Sequence, residues 1–158
     1  MTVLEAEVVK AVRAGVAPAF VRRVLARAAK VPEIAARLPE GVCTVAVRIT
    51  SAEELRELNR TYARDDHTTD VLSFAGTGSH VGDIAISWPA VLEQSQQWGH
   101  DSKSELAVLL VHGLLHLLGW DHRTRAETEE MWRLTYLPLK PYWSGYTPVR
   151  GLRRSPRA

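Results

Sequence analysis

The sequence predicts a single α+β domain, in which a small mixed β-sheet is packed by helices around one central helix. Stretches that alternate apolar and polar residues indicate the sheet, because a strand with one buried face shows that period. Longer stretches with apolar residues at helical spacing lie between them. One of these, beginning at Ser102, is apolar on almost all sides, and a helix of that kind lies in the middle of a domain.

The first half of the chain supplies two strands and two helices. Residues 3–9 alternate and favour a strand, with a short helix as the alternative. Residues 19–29 carry apolar side chains at helical spacing, and residues 42–49 are β-branched and alternating, which favours a strand. Ser51 precedes two acidic residues, so we expect a helix that begins there and ends near Tyr62.

The second half supplies two short strands and three helices. The predicted strands span 71–74 and 82–87, and the predicted helices span 89–98, a stretch from Ser102 onward, and 128–137. Ser102 and Glu105 have the spacing of a capping box, in which each side chain satisfies a free amide at the helix start. Four prolines from Pro138 onward argue against regular structure. We therefore expect a domain at residues 1-137 and a Pro/Arg-rich, poorly ordered tail at residues 138-158.

Composition excludes several classes of protein. The 158 residues are 46% hydrophobic and 24% charged, which is typical of a globular domain and not of a disordered chain. The one cysteine, Cys43, allows no intrachain disulfide, so a disulfide-stabilised secreted fold is excluded. Neither a signal peptide nor a run of about 18 apolar residues is present. We expect a cytoplasmic protein without a membrane partner.

Positive charge is concentrated in the tail. The formal net charge is +2, and the segment from Pro138 onward contains five basic and no acidic residues: Lys140, Arg150, Arg153, Arg154 and Arg157. A basic segment of this kind favours a polyanion such as RNA as the partner; the alternative is a solvated end with no ligand.

The segment with the clearest chemistry is His112 to His122, which contains three of the six histidines. His112 and His116 are four residues apart, so on a helix they project from one face. Gly119 follows where a helix can end in a left-handed residue, and a chain reversed there can return His122 to the same face. Three imidazoles leave a tetrahedral zinc ion one position for water, as in catalytic sites. The sequence thus predicts a metal-dependent hydrolase domain built around a metal-binding helix, a zincin-like arrangement.

The spacing is that of the metzincin motif H-E-x-x-H-x-x-G-x-x-H, with one departure. Gly113 stands where those proteases carry the glutamate that acts as general base. Asp121, next to a ligand, is predicted to orient an imidazole; acting as a substitute base is the alternative. The histidines alone do not decide between a peptide and a phosphodiester as substrate.

His112 to His122 resembles the signature of the YbeY family, bacterial zinc-dependent endoribonucleases involved in ribosomal RNA maturation. Further stretches match that family in order: Leu58-Asn59 with Tyr62, Thr69-Asp70-Val71-Leu72-Ser73-Phe74, Gly82-Asp83-Ile84-Ala85-Ile86-Ser87, and Glu105-Leu106. The resemblance covers residues 45 to 135 approximately. It implies a single-strand-specific endoribonuclease that acts at the 3′ end of 16S ribosomal RNA and in ribosome quality control. The implied partners are single-stranded RNA, ribosomal RNA precursor, and the small ribosomal subunit or assembly factors.

By resemblance, His112, His116 and His122 are the ligands of one Zn2+ ion. The family carries an arginine directly after its tyrosine, where this chain has Ala63 and places Arg64 one position later. We expect Arg64 to be the catalytic or substrate-binding arginine, because a loop can deliver its long, forked side chain to a phosphate.

Asp70 and Ser73 lie in the matched stretch beside the predicted metal site. We expect them to position substrate or, alternatively, to satisfy groups of the neighbouring loop. Two other functions remain open from the sequence. One is a metzincin-like metallopeptidase, and the other is a non-catalytic ribosome-assembly factor with a structural metal.

Overall fold

A computed structural model describes residues 1–63 and 69–142 of the chain. Its sheet has four strands: β1 (Thr2–Lys10), β2 (Gly41–Thr50), β3 (Val71–Ala75) and β4 (His80–Ser87). They lie in the order β1-β2-β4-β3, with β1, β2 and β4 parallel and β3 antiparallel to β4. The predicted mixed sheet is therefore confirmed, as is the strand interpretation of residues 3–9.

The helices of the described residues are α1 (Pro18–Ala28), α2 (Pro32–Ala35), α3 (Ala52–Leu58), α4 (Trp88–Trp98), α5 (Ser102–Leu117) and α6 (Arg125–Tyr136). A π-helical turn, Asn59–Ala63, continues α3, and a 3-10 helix, Leu137–Tyr142, follows α6. None of these helices is both long and apolar enough to cross a membrane.

Helix α5 is the centre of the fold, as its uninterrupted apolar sequence predicted. Eleven of its sixteen residues, Glu105 to Leu115, are buried. Its neighbours are β3 and β4 on the sheet side and α1, α4 and α6 on the other sides. Because α5 is held on all sides, the side chains at its carboxyl-terminal end have a rigid base. The expected α+β domain around a central helix is confirmed.

The predicted capping box of α5 is wrong. Asp101 is the N-cap, and its carboxylate accepts a hydrogen bond from the amide of Ser104 at 2.7 Å. Glu105 is fully buried and its Oε1 lies 2.8 Å from Nε2 of His100. The side chain of Glu105 therefore contacts His100, five residues earlier, and does not form the predicted cap. The capping box of this chain is at α6, where Thr124 and Glu127 bond each other's backbone amides.

Two further boundaries differ from expectation, and one short helix was not predicted. Helix α6 begins at Arg125 and not at residue 128, because the Thr124 capping box starts it one turn earlier. The four residues of α2 carry too few apolar positions to show a period, so α2 was not predicted. Regular structure continues past Pro138 to Tyr142, since Leu139 is fully buried. The rest of the basic tail, residues 143–158, lies outside the described residues.

Candidate metal centre

The three histidines converge at the carboxyl-terminal end of α5. The ring centroids of His112 and His116 are 5.0 Å apart, those of His116 and His122 are 5.1 Å apart, and those of His112 and His122 are 6.5 Å apart. His112 is buried, whereas His116 and His122 are half-buried. The cluster therefore has one closed side and one side that faces solvent.

Gly119 makes this convergence possible. It adopts a left-handed backbone with φ of 97°, a conformation that side chains disfavour. The amide of Gly119 donates to the carbonyl of His116, and the amide of Trp120 donates to that of Leu115, both at 3.1 Å. These are the two hydrogen bonds of a Schellman motif, which ends a helix and reverses the chain. The predicted bend at Gly119 is confirmed.

Asp121 and Arg123 fix the loop that carries His122. Oδ1 of Asp121 accepts the amide of His122 at 2.7 Å, and Oδ2 lies 2.8 Å from Nε of Arg123. The hydrogen bond from that amide, with the nearby Arg123 charge, lowers the pKa of the Asp121 carboxyl. The carboxylate thus contacts the backbone of a predicted ligand. Its predicted role towards an imidazole ring stays a prediction.

The electrostatics favour a neutral His116. Burial lowers the pKa of the His116 imidazole, and the neighbouring His122 lowers it further, against a smaller opposing effect of Asp121. A histidine with a lowered pKa is deprotonated at neutral pH, and only a deprotonated ring nitrogen can bind a metal.

The donor set fits a zinc ion in kind, and two of its three ring separations fit one in position. Three imidazoles around tetrahedral zinc would have ring centroids about 5.2 Å apart, close to the two shorter separations seen here. Nε2 of His122 is buried and has no hydrogen-bond partner among the described residues, which is the state of a ring nitrogen meant for a metal. The His112–His122 separation of 6.5 Å is wider. As they stand, the described residues hold no group of three His, Cys, Asp or Glu closed tightly enough to bind an ion.

Gly113 faces the sheet and not the histidine cluster. A Cβ atom at this position would lie 3.0 Å from Cγ2 of Ile84 and 3.4 Å from Oγ of Ser73. A side chain at this position would point at the sheet, and its Cβ would require Ile84 to give way by a few tenths of an ångström.

Comparison with known proteins identifies the family. A family model described as Endoribonuclease YbeY matches residues 9–142. This chain belongs to the YbeY family of endoribonucleases.

Relatives of the same name agree with that assignment. Endoribonuclease YbeY of Chloroflexus aurantiacus is 43% identical over 132 residues, which cover 71% of this chain and 85% of that protein. Endoribonuclease YbeY of Halalkalibacterium halodurans is 39% identical over 127 residues, covering 71% and 77%. The solution structure of TM1509 from Thermotoga maritima covers 99% of this chain and 98% of its own, with a TM-score of 0.56 and 21% identity. That last likeness shows a shared fold.

Two of the other stretches by which the chain resembles YbeY proteins lie on strands that pack against α5, namely those on β3 and β4. The Ser73 hydroxyl donates to the carbonyl of Gly113 at 3.0 Å, one residue from His112. The Asp70 carboxylate accepts a hydrogen bond from Nε2 of Gln94 on α4 at 2.8 Å. Arg64 falls in the range 64–68, outside the described residues. The substrate roles predicted for Asp70, Ser73 and Arg64 stay predictions.

Tyr62, the tyrosine of the matched Leu-Asn stretch, lies on the opposite face of the sheet. Phe74 points away from α5, because its neighbour Ser73 points towards it. The rings of Tyr62 and Phe74 meet edge-on with centroids 5.7 Å apart. Both line a groove of about 510 Å³ that contains none of the three histidines.

Sequence analysis missed three residues that contact the histidine cluster or the loop after α5: Arg37, Thr128 and Trp132. Arg37 donates to the carbonyl of Leu118 at 3.2 Å and stacks over Trp120, with its guanidinium carbon 3.7 Å from the ring centroid. Thr128 donates to the carbonyl of His122 at 3.3 Å, and Trp132 stacks on His112. Only the spacing of Thr128 and Trp132, four residues apart on one predicted helix, could have indicated a shared face.

Proposed function

We propose that this chain is a zinc-dependent endoribonuclease that cleaves single-stranded ribosomal RNA precursor, using one ion held by His112, His116 and His122. The proposal extends to maturation of the 3′ end of 16S ribosomal RNA and to ribosome quality control, with the small ribosomal subunit or assembly factors as partners. The observation that carries it is the convergence of three imidazole rings beside Gly119 in a chain of the YbeY family.

The chain's own residues supply the frame for this chemistry. His112 and His116 are fixed by α5, and Asp121 fixes the amide of His122. When bound to these rings, zinc supplies Lewis-acid chemistry and lowers the pKa of water towards about 7. The lowered pKa of His116 keeps that ring neutral and able to bind at neutral pH. The half-buried His116 and His122 leave the cluster accessible on the side where a phosphodiester would enter.

In this proposal Arg64 contacts the scissile phosphate. Its guanidinium presents a fork of donors that matches phosphate oxygens, which a lysine cannot reproduce. An Arg64→Lys variant that is as impaired as Arg64→Ala supports this role. Full activity of the alanine variant would overturn it.

The structure disfavours the peptidase hypothesis. A zincin peptidase needs a carboxylate base at the residue after the first histidine, whereas this chain has Gly113 there, and a Cβ at that position would point at Ile84 of the sheet. Phosphodiester cleavage has no such requirement at this position.

The test is cleavage of RNA by protein that has been stripped with a chelator and reloaded with zinc. We expect cleavage of a single-stranded oligonucleotide, little cleavage of duplex RNA, none of an unfolded protein, and loss of activity on chelation. His122→Ala should abolish cleavage. The matched control is His80→Ala, since His80 bonds Thr44 and Asp83 away from the cluster. Peptide cleavage without RNA cleavage would establish the peptidase alternative.

The ribosomal part of the proposal needs a separate test in cells. Replacing the chromosomal copy by His122→Ala should cause 16S precursor with an unprocessed 3′ end to accumulate. A folded His122→Ala protein that supports normal processing would instead favour the non-catalytic assembly factor with a structural metal.

A further inference from the structure

Helix α6 contacts the histidine cluster through one buried face. Thr128, Trp132 and Tyr136 follow each other at four-residue intervals, so they lie on the same face. They are 7%, 8% and 5% exposed, respectively. A helix face that is this well buried has a fixed position relative to what it touches.

Two of these residues contact two different histidines. The Thr128 hydroxyl lies 3.3 Å from the carbonyl oxygen of His122. The Trp132 ring stacks on the His112 ring, with centroids 4.6 Å apart and planes inclined by 25°. Tyr136 in turn stacks on Trp132, with centroids 5.6 Å apart and an angle of 24°. The face of α6 therefore joins the ligand from α5 to the ligand from the loop.

We propose that Trp132 is a positioning residue that sets the ring orientation of His112 for metal binding. The inference rests on the metal site of the proposed function. The torsion that turns an imidazole about its Cβ–Cγ bond is broad, so the backbone of α5 alone does not direct the ring nitrogen. A flat indole stacked on one face restricts this torsion, because tilting the ring would lose the stacking contact. Trp132 touches the ligand and not the substrate.

The position of α6 supports this role. The helix starts at Arg125, two residues after Arg123, and its Thr124 capping box fixes that start. The Thr128 hydroxyl oxygen lies 2.8 Å from the carbonyl oxygen of Thr124 and 3.3 Å from that of His122. Because Thr128 contacts His122, the residue one helical turn later, Trp132, lies beside His112.

The test compares zinc affinity and ring geometry in three variants. Trp132→Leu removes the ring and keeps an apolar side chain, and Trp132→Phe keeps a ring that can stack. Trp88→Leu is the matched control, because Trp88 is a tryptophan on α4 that is also buried, at 7% exposure. Zinc affinity is measured by competition with a chromophoric chelator. The ring protons of His112 are followed by NMR in the metal-free protein.

We expect zinc affinity to fall about tenfold in Trp132→Leu and to stay within about threefold of the parent in Trp132→Phe. In Trp88→Leu, affinity should be unchanged although the melting temperature falls. In the parent, the His112 ring protons should be shifted upfield by the indole ring current, and the shift should vanish in Trp132→Leu. If that variant does not fold, Trp132→Met, whose flexible side chain fills irregular space, replaces it.

The failures of the two proposals are distinguishable. Zinc binding by the parent that survives His112→Ala would refute the metal site itself. Zinc binding that requires His112 but is equally tight in Trp132→Leu would refute only the positioning role. His112 ring protons without an upfield shift in the parent would also refute it, whatever the affinity.

Discussion

The hydroxyl of Ser73 on strand β3 donates a hydrogen bond to the carbonyl oxygen of Gly113 on helix α5 at 3.0 Å. This bond attaches the edge strand to the helix one residue after His112. The same contact brings Ile84 within 3.0 Å of where a Cβ of residue 113 would lie. Helix α5 is therefore held against the sheet at Gly113, the position where the metzincin motif has a glutamate.

Restoring the metzincin glutamate should damage the fold without creating a peptidase. We expect Gly113→Glu to lower the free energy of unfolding by about 1–3 kcal/mol, because the side chain must enter a packed contact. Chemical denaturation measures this, and the control is Gly15→Glu, where an added Cβ meets nothing within 4 Å. A stable Gly113→Glu protein that cleaves peptides would contradict this account of the position.

The role of Gly119 in positioning His122 can be tested by comparing Gly119→Ala with Gly41→Ala. Both have left-handed backbones, with φ of 97° and 86°, and neither has an atom within 3.4 Å of an added Cβ. Substitution by Ala should cost about 1–2 kcal/mol of stability at each site from backbone strain. Only Gly119→Ala should also weaken zinc binding, since Gly119 forms the bend that places His122 beside the other two histidines and Gly41 does not. Equal zinc affinities of the two variants would show that the bend does not position the ligand.

The assignment of Asp101 as the N-cap of α5 can be tested by substituting Asp101 and its neighbour Ser102 separately. Asp101→Ala should cost about 1 kcal/mol, whereas Ser102→Ala should change stability by less than about 0.5 kcal/mol. Hydrogen bonds from the Ser104 hydroxyl and amide lower the pKa of the Asp101 carboxyl below its ordinary 3.8. Its contribution is therefore present above pH 3.8 and is lost as the pH falls through the lowered pKa. Asp101→Asn, which accepts but does not titrate, should lack that acid dependence in denaturation measured as a function of pH.

His116 should make the metal-free protein less stable in mild acid. Burial holds its pKa in the folded state below the ordinary value of 6.5. Between the two values the unfolded chain binds more protons at this site, so stability is full above pH 6.5 and falls as the pH drops through the lower pKa. Unfolding free energies at several pH values should show a shallower fall in His116→Gln. Identical slopes in the parent and in His116→Gln would refute the effect.

Local patterns predicted the strands and the common side of His112 and His116 because both depend on a short sequence period. Two-residue alternation fixes which face of β2 is buried, and the four-residue spacing of His112 and His116 fixes their common side on α5. Gly119 was predictable for the same reason, since few residues tolerate its φ.

Two contacts were not predictable from these patterns. Asp101 and Ser102 are both good N-caps, and Glu105 contacts His100 instead of completing a capping box with Ser102. Trp132 is twenty positions from His112, so no local pattern relates the two rings. Their stacking follows from how α6 packs on α5 once the whole core has formed.

The most direct test of the central claim is a crystal structure of the zinc-loaded protein, with anomalous scattering measured at the zinc absorption edge. The account predicts one peak per chain, bound by ring nitrogens of His112, His116 and His122, with the centroids of His112 and His122 closer than the present 6.5 Å. A peak bound by only two of these histidines, or one located elsewhere such as at His80 and Asp83, would contradict it.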